Sequence, residues 1–115
     1  YRVYPEVKFP DVMQDPASAA KWVKTNITAY GGDDNQIFLV GHSAGAHLLT
    51  MLALNPEYLN QRNLSPTDFA GYVGLAGPYD FLPLTSARLK EIFGPEETQW
   101  KSQPIHYANG NNPSM

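Results

Sequence analysis

The sequence predicts an α/β fold built on a parallel sheet with flanking helices, and three observations carry that reading. Apolar runs with strand character alternate with runs of helical spacing in the order strand, helix, strand, helix, strand. Such alternation is the pattern of parallel strands joined by crossover connections, which are right-handed in nearly all cases. The run Ile37 to Val40 leads directly into Gly41-His42-Ser43-Ala44-Gly45, a G-x-S-x-G pentapeptide of the kind that turns a strand sharply into a helix. The stretch that follows, Ala44 to Leu54, is apolar nearly all round, as expected of a helix covered on most sides.

Each element has a local reason. Tyr1-Arg2-Val3-Tyr4 alternates and reads as the tail of a strand ended by Pro5, with a loop through Pro10. Met13, Ala17, Ala20, Val23, Ile27 and Tyr30 recur at helical spacing and give one face to pack on a sheet. Asp15-Pro16 suits an N-cap and first helical position, so a turn from Asp11 and a regular helix from Pro16 are expected. Gly31-Gly32 supplies the left-handed conformation that closes it. Asn55-Pro56 stops the central helix. In the polar connection to Phe69, Ser65-Pro66-Thr67-Asp68 reads as a one-turn helix with Ser65 capping and Asp68 answering. Gly71 to Ala76 is the next strand, closed by Gly77-Pro78.

The segment 78–115 differs in character, being rich in Pro, Gly and Asn, with one short helix expected from Ser86 to Phe93 and ended by Gly94-Pro95. Loops leaving the carboxyl ends of parallel strands are where such folds build their sites. This segment is therefore read as a lid or pocket excursion. Asn109-Gly110-Asn111-Asn112-Pro113 reads as a turn leading into a further strand. The whole of 1–115 is read as a partial domain that starts and stops within a larger one.

Composition narrows the function classes. The 115 residues are 43% hydrophobic and 17% charged with a net charge of -3, which fits a folded domain and offers no basic stripe for nucleic acid. There are no cysteines, hence no disulfide framework and no thiolate metal site. The three histidines show no metal-ligand spacing, and Gly31-Gly32-Asp33-Asp34 precedes a strand where a phosphate loop would follow one. No metal and no cofactor are expected. No apolar run approaches the ~18–20 residues of a membrane span, and the first residues resemble no signal peptide. The compartment is not readable, and the cytoplasm stands only as a default.

The chemistry concentrates at Ser43. A serine hydroxyl is a weak nucleophile unless a base and an oxyanion hole both reach it, and a strand-to-helix turn presents it for that purpose. The geometry of such a turn presses the residues two before and two after the serine against backbone, so Gly41 and Gly45 are both expected to be intolerant of a side chain. His42 and His47 flank the serine too closely in sequence to approach it from across a pocket. His42 is placed along the elbow as a pocket residue and His47 beneath it. His106 is the one remote histidine and is left open as an internal base, with Asp80, just after the second complete strand, as an internal acid. Tyr79 and Phe81 are the candidate aromatic walls of the pocket.

Taken with Tyr1-Arg2-Val3-Tyr4-Pro5-Glu6, Tyr30-Gly31-Gly32-Asp33, Gly77-Pro78-Tyr79-Asp80 and Ser102-Gln103-Pro104-Ile105, the run Gly41-His42-Ser43-Ala44-Gly45-Ala46-His47 resembles the α/β-hydrolase superfamily over nearly the whole chain. Within it the resemblance is to carboxylesterases of feruloyl-esterase, kynurenine-formamidase and prenylcysteine-methylesterase type. It implies the central portion of an α/β-hydrolase fold, with Ser43 as nucleophile and the Ala44 N–H as one oxyanion donor. It also implies a second donor from a glycine-rich loop that these residues do not contain, and an acid and a histidine beyond Met115. That would make His106 and Asp80 turn or wall residues. The implied substrate is a small-molecule carboxylic ester or an activated amide such as a formamide. The same fold serves acyltransferases, thioesterases and non-catalytic binding proteins, and those remain the alternatives.

Overall fold

A computed structural model describes residues 1–115. Two parallel strands, β1 (Phe38–His42) and β2 (Gly71–Leu75), pair in register from Phe38↔Gly71 to His42↔Leu75. Between them in sequence runs helix α2 (Ala44–Leu54), which packs against both. Helix α1 (Gln14–Asn26) lies against α2, and Met13, Ala17 and Ala20 join Leu48, Leu49 and Leu52 in one buried cluster with Tyr58, Leu59, Phe69 and Tyr72. Every residue from Ala46 to Leu54 is buried, as its all-round apolar character predicts.

The register sorts the side chains. Leu39, Gly41, Tyr72 and Gly74 share the face turned to α2, while Phe38, Val40, Val73 and Leu75 share the other and stand 57, 65, 45 and 51% exposed. An additional Cβ at Gly41 would meet the Leu49 side chain and the Gly45 backbone at 2.5 Å, so β1 and α2 touch where β1 has no side chain. Gly45 behaves differently from expectation. A Cβ there meets nothing within 4 Å among residues 1–115, and what a Cβ at Gly41 would strike is the Gly45 carbonyl. The close approach therefore needs a glycine at position 41 and merely tolerates one at 45.

Local capping follows the sequence closely in several places. Gly31 takes φ +84° where the chain leaves a final 3₁₀ turn, Ile27–Tyr30. The Ser65 hydroxyl accepts from the Thr67 N–H, and Asp68 Oδ2 accepts the Ser65 N–H at 2.7 Å. The Tyr72 hydroxyl donates to the Pro66 carbonyl at 2.7 Å, fixing this cap to β2. Ser86 caps α4 (Ala87–Phe93), which Gly94 ends at φ +81°.

Three expectations require correction. The segment Tyr1–Tyr4 is not a strand: the Arg2 N–H goes to Asp15 Oδ2 at 2.7 Å and the Val3 carbonyl accepts from Glu6 and Val7, so its polar backbone is spent on a turn and a side chain. Helix α1 begins at Gln14, two residues before Pro16, and Asp15 pairs with Arg2 where an N-cap role was expected. Pro16 is accommodated because it falls within the first helical turn, where backbone N–H groups have no helical partner. Short helices also appear where a plain polar loop was expected, at α3 (Glu57–Asn60), α5 (Glu96–Gln99) and the 3₁₀ turns Trp100–Ser102 and Pro104–Tyr107. No helix is long and apolar enough to cross a membrane.

Candidate active site

The link between β1 and α2 is a single residue. Ser43 has φ 55° and ψ -117°, a conformation costly for a residue with a Cβ, of order 1–3 kcal/mol. It persists because both sides are fixed. The Ser43 N–H donates to the Leu75 carbonyl of β2 at 2.9 Å, and the Ser43 carbonyl accepts from the His47 N–H at 3.1 Å to open α2. The side chain is thereby thrown clear of both elements at their junction. Ala44 is the first residue of α2, so its N–H has no carbonyl one turn back to bond to, and it lies at the positive end of the helix.

Ser43 and Ala44 open on a cavity of about 320 Å³ whose other walls are almost wholly apolar. Tyr1, Val3, Tyr4 and Val7 come from the N-terminal turn, Phe81 and Pro78 from the loop after β2, and Leu89, Ile92 and Phe93 from α4. The ion pair of Arg2 with Asp15, 2.8 Å, holds the N-terminal turn in place and draws the Asp15 carboxyl down to about 2. Phe9 bridges the same walls, its N–H donating to the Ile92 carbonyl at 2.9 Å.

His47 lies one helical turn after Ser43 and is 5% exposed. Its Nε2 is 2.7 Å from the Ser102 carbonyl, so Nε2 carries the proton and donates. Its ring stands edge-on to Phe81 and Phe93, with centroids 5.6 and 6.0 Å away. Burial lowers its pKa from the usual imidazole value, the Ser102 hydrogen bond opposing this more weakly. It is a neutral wall residue whose donor is already engaged.

The other candidates separate from Ser43. Phe81 lines the cavity with it. His42 does not: it is exposed at the end of β1, because the strand period puts it on the sheet face shared with Val40. Tyr79 turns the other way. Its ring lies over Gly74 and Gly77, and it lines a second cavity of about 430 Å³ with Thr50, Tyr72 and Ile105. Asp80 and His106 are both exposed and outside the Ser43 cavity, His106 standing edge-on to Trp100 at 6.0 Å. The structure thus brings neither the open internal base nor the open internal acid to the serine's cavity.

Residues that the sequence reading did not single out form most of the cavity. Val3, Val7, Leu89 and Ile92 are ordinary apolar residues in their own segments, and only the tertiary fold gathers them. Behind the walls lies a buried polar cluster, Gln99, Ser102 and Gln103; its sequence signal is the run Ser102-Gln103-Pro104-Ile105, which carries part of the family resemblance but no role of its own.

Comparison with known proteins accords with this geometry. The BD-FAE family model matches residues 1–114. The probable isoprenylcysteine alpha-carbonyl methylesterase ICMEL2 of Arabidopsis thaliana is 34% identical over 88 residues, 73% of this chain and 21% of that protein. The probable carboxylic ester hydrolase LipM of Mycobacterium tuberculosis is 38% identical over 93 residues, 76% of this chain and 21% of that protein. Among solved structures, the apo form of Thermogutta terrifontis esterase 2 superposes with a TM-score of 0.75 at 26% identity, covering 98% of this chain and 44% of the esterase. The chain thus spans about a fifth of the length of these curated relatives. With a family model running nearly end to end and an esterase backbone beneath it, the chain belongs to the BD-FAE family and carries part of an α/β-hydrolase fold.

Proposed function

We propose that Ser43 is the nucleophile of a serine hydrolase that cleaves carboxylic esters, activated amides such as formamides being a second substrate type open to the same chemistry. The observation that carries this is the strained Ser43 backbone, which sets one exposed hydroxyl between a helix N-terminus and an apolar cavity of about 320 Å³. Ester-hydrolase names among the relatives support the reaction class.

In this mechanism Ser43 Oγ attacks the carbonyl carbon as an imidazole takes its proton, and the carbonyl oxygen becomes an oxyanion. The Ala44 N–H donates to that oxygen, where the helix end already favours negative charge. Collapse breaks the bond to the alkoxide, which recovers the proton from the imidazolium. Water, deprotonated by the same imidazole, then attacks the acyl-serine, the acyl–Oγ bond breaks to release the acid, and Ser43 Oγ takes back the proton from the imidazolium. His47 is not that imidazole, since its Nε2–H is committed to Ser102. His106 and Asp80 stand apart from the cavity, so the base, its acid partner and the second oxyanion donor are assigned to parts of the fold outside these residues. The apolar walls suit the acyl group, which is desolvated there at no polar cost.

The test is Ser43→Ala in the full-length protein. Hydrolysis of a p-nitrophenyl ester should fall by about 10⁴ with the circular dichroism spectrum retained. Turnover within tenfold of the parent would eliminate Ser43 as nucleophile, and with it the serine mechanism.

A further inference from the structure

The walls of the Ser43 cavity come from four segments, the N-terminal turn, α2, the loop after β2 and α4, and a buried polar bracket ties the last three together from behind. Gln103 is 0% exposed. Its Oε1 accepts the Phe81 N–H at 2.8 Å and its Nε2 donates to Ser102 Oγ at 2.8 Å. Ser102, also 0% exposed, passes its own hydroxyl proton to the Gln99 carbonyl at 2.7 Å and offers its carbonyl to His47 Nε2 at 2.7 Å. Gln99 in turn donates Nε2–H to the Gly94 carbonyl at 2.8 Å, at the residue that ends α4. One chain of hydrogen bonds therefore reaches α2 through His47, the loop after β2 through Phe81, and the α4 wall through Gly94.

Nothing else of this strength holds the Phe81 backbone, and Phe81 and Phe93 meet at 5.2 Å to form the aromatic end of the cavity. Buried amides are kept only where their partners are satisfied, since an orphaned one costs more than an apolar replacement. Here both ends of the Gln103 amide are used, and both uses point at cavity walls. We infer that Gln103 is a positioning residue for acyl-group selection: through the Phe81 N–H and the Ser102 hydroxyl it fixes the aromatic wall against which a long acyl chain packs. The inference rests on the reading of the Ser43 cavity as the acyl pocket.

An acetyl group at Ser43 is too short to need that wall, whereas an octanoyl group is long enough to depend on it. Gln103→Met keeps the volume and removes both hydrogen bonds. In the full-length protein it should lower kcat/KM for p-nitrophenyl octanoate at least fivefold relative to p-nitrophenyl acetate, the change falling on KM. Phe81→Leu should shift the same ratio in the same direction, and the double variant should shift it no further than Phe81→Leu alone, because without the ring Gln103 has nothing to position. Additive shifts, or a ratio unchanged within twofold in Gln103→Met while Ser43→Ala is inactive, overturn the proposal and leave the nucleophile assignment standing. Full activity of Ser43→Ala overturns both. Should Gln103→Met fail to fold, Gln103→Asn, one methylene shorter and unable to span both partners, carries the same expectation; failure of both to fold overturns the proposal, since Gln103 would then hold the fold as a whole.

Discussion

A Cβ placed on Gly41 would stand 2.5 Å from both the carbonyl carbon and the carbonyl oxygen of Gly45. Two glycines spaced symmetrically about Ser43 thus have unequal duties. Gly41 lets the strand meet the helix, and Gly45 presents the surface that is met.

The inequality is measurable. Gly41→Ala should destabilise the protein by about 1–3 kcal/mol through overpacking against backbone that cannot yield, and should depress esterase turnover by moving Ser43. Gly45→Ala meets open space within a helix and should be neutral or stabilising by up to about 1 kcal/mol. Urea denaturation of both variants decides it. Equal losses at the two positions would show that the contact has been misassigned.

The Ser43 backbone makes a second prediction. Ser43→Gly and Ser43→Ala both remove the hydroxyl, but only glycine is unstrained at φ 55°. The glycine variant should therefore be the more stable of the two by about 1 kcal/mol, in the same direction as the ordinary N-cap preference for glycine over alanine. A more stable alanine variant would mean that the turn is not strained in solution.

His47 links stability to pH. Burial lowers its folded-state pKa below the ordinary 6.5, so at pH values below about 6.5 the unfolded chain takes up a proton that the folded one resists. The contribution is whole above that pH and is lost as pH falls through the depressed folded value. His47→Gln keeps a donor for the Ser102 carbonyl without titrating. Its melting temperature should decline less than the parent's between pH 6.5 and 5, and parallel curves would refute the assignment.

Asp15 has the same sign in a lower window. With its carboxyl held down to about 2 by Arg2, against an ordinary 3.8, the ion pair contributes above about pH 4 and is lost as pH falls towards 2. Asp15→Asn should therefore loosen the turn carrying Tyr1, Val3 and Tyr4 at neutral pH, seen as faster amide exchange at Arg2. Near pH 2 the exchange rates of parent and variant should converge. A difference that persists there would mean that Arg2 and Asp15 are not coupled by charge.

What was legible in the sequence was local. The elbow, the span of α2, the Ser65 cap and the Gly31 and Gly94 endings each depend on residues within a few positions of one another, where spacing and side-chain type carry the physics. The alternation of Tyr1 and Val3 suggests a strand, whereas Tyr1, Val3 and Tyr4 all line the Ser43 cavity from a turn. Tyr79 was read as a pocket wall from its place after β2, but two side-chain-free positions, Gly74 and Gly77, draw its ring to the opposite side. The Gln103–Phe81 and His47–Ser102 bonds span 22 and 55 residues, and no local pattern announces a partner that far away. The candidate serine was visible because it sits on a turn; the shape of its cavity was not, because that is assembled from four segments.

The pairing of Phe38 with Gly71, and of each residue after it with the one 33 positions on, also governs how the molecule is assembled. Every ladder hydrogen bond closes a loop that contains the whole of α2, and the entropy of that closure is spent before the first pair forms. The β1–β2 pair, being parallel, has no hairpin to nucleate it. Helix α2 shortens the loop to be closed and supplies the apolar surface against which both strands pack. The Ser43 conformation needs the Leu75 carbonyl on one side and an opened helix on the other. A chain whose strands have not met thus has a serine at position 43 but no elbow.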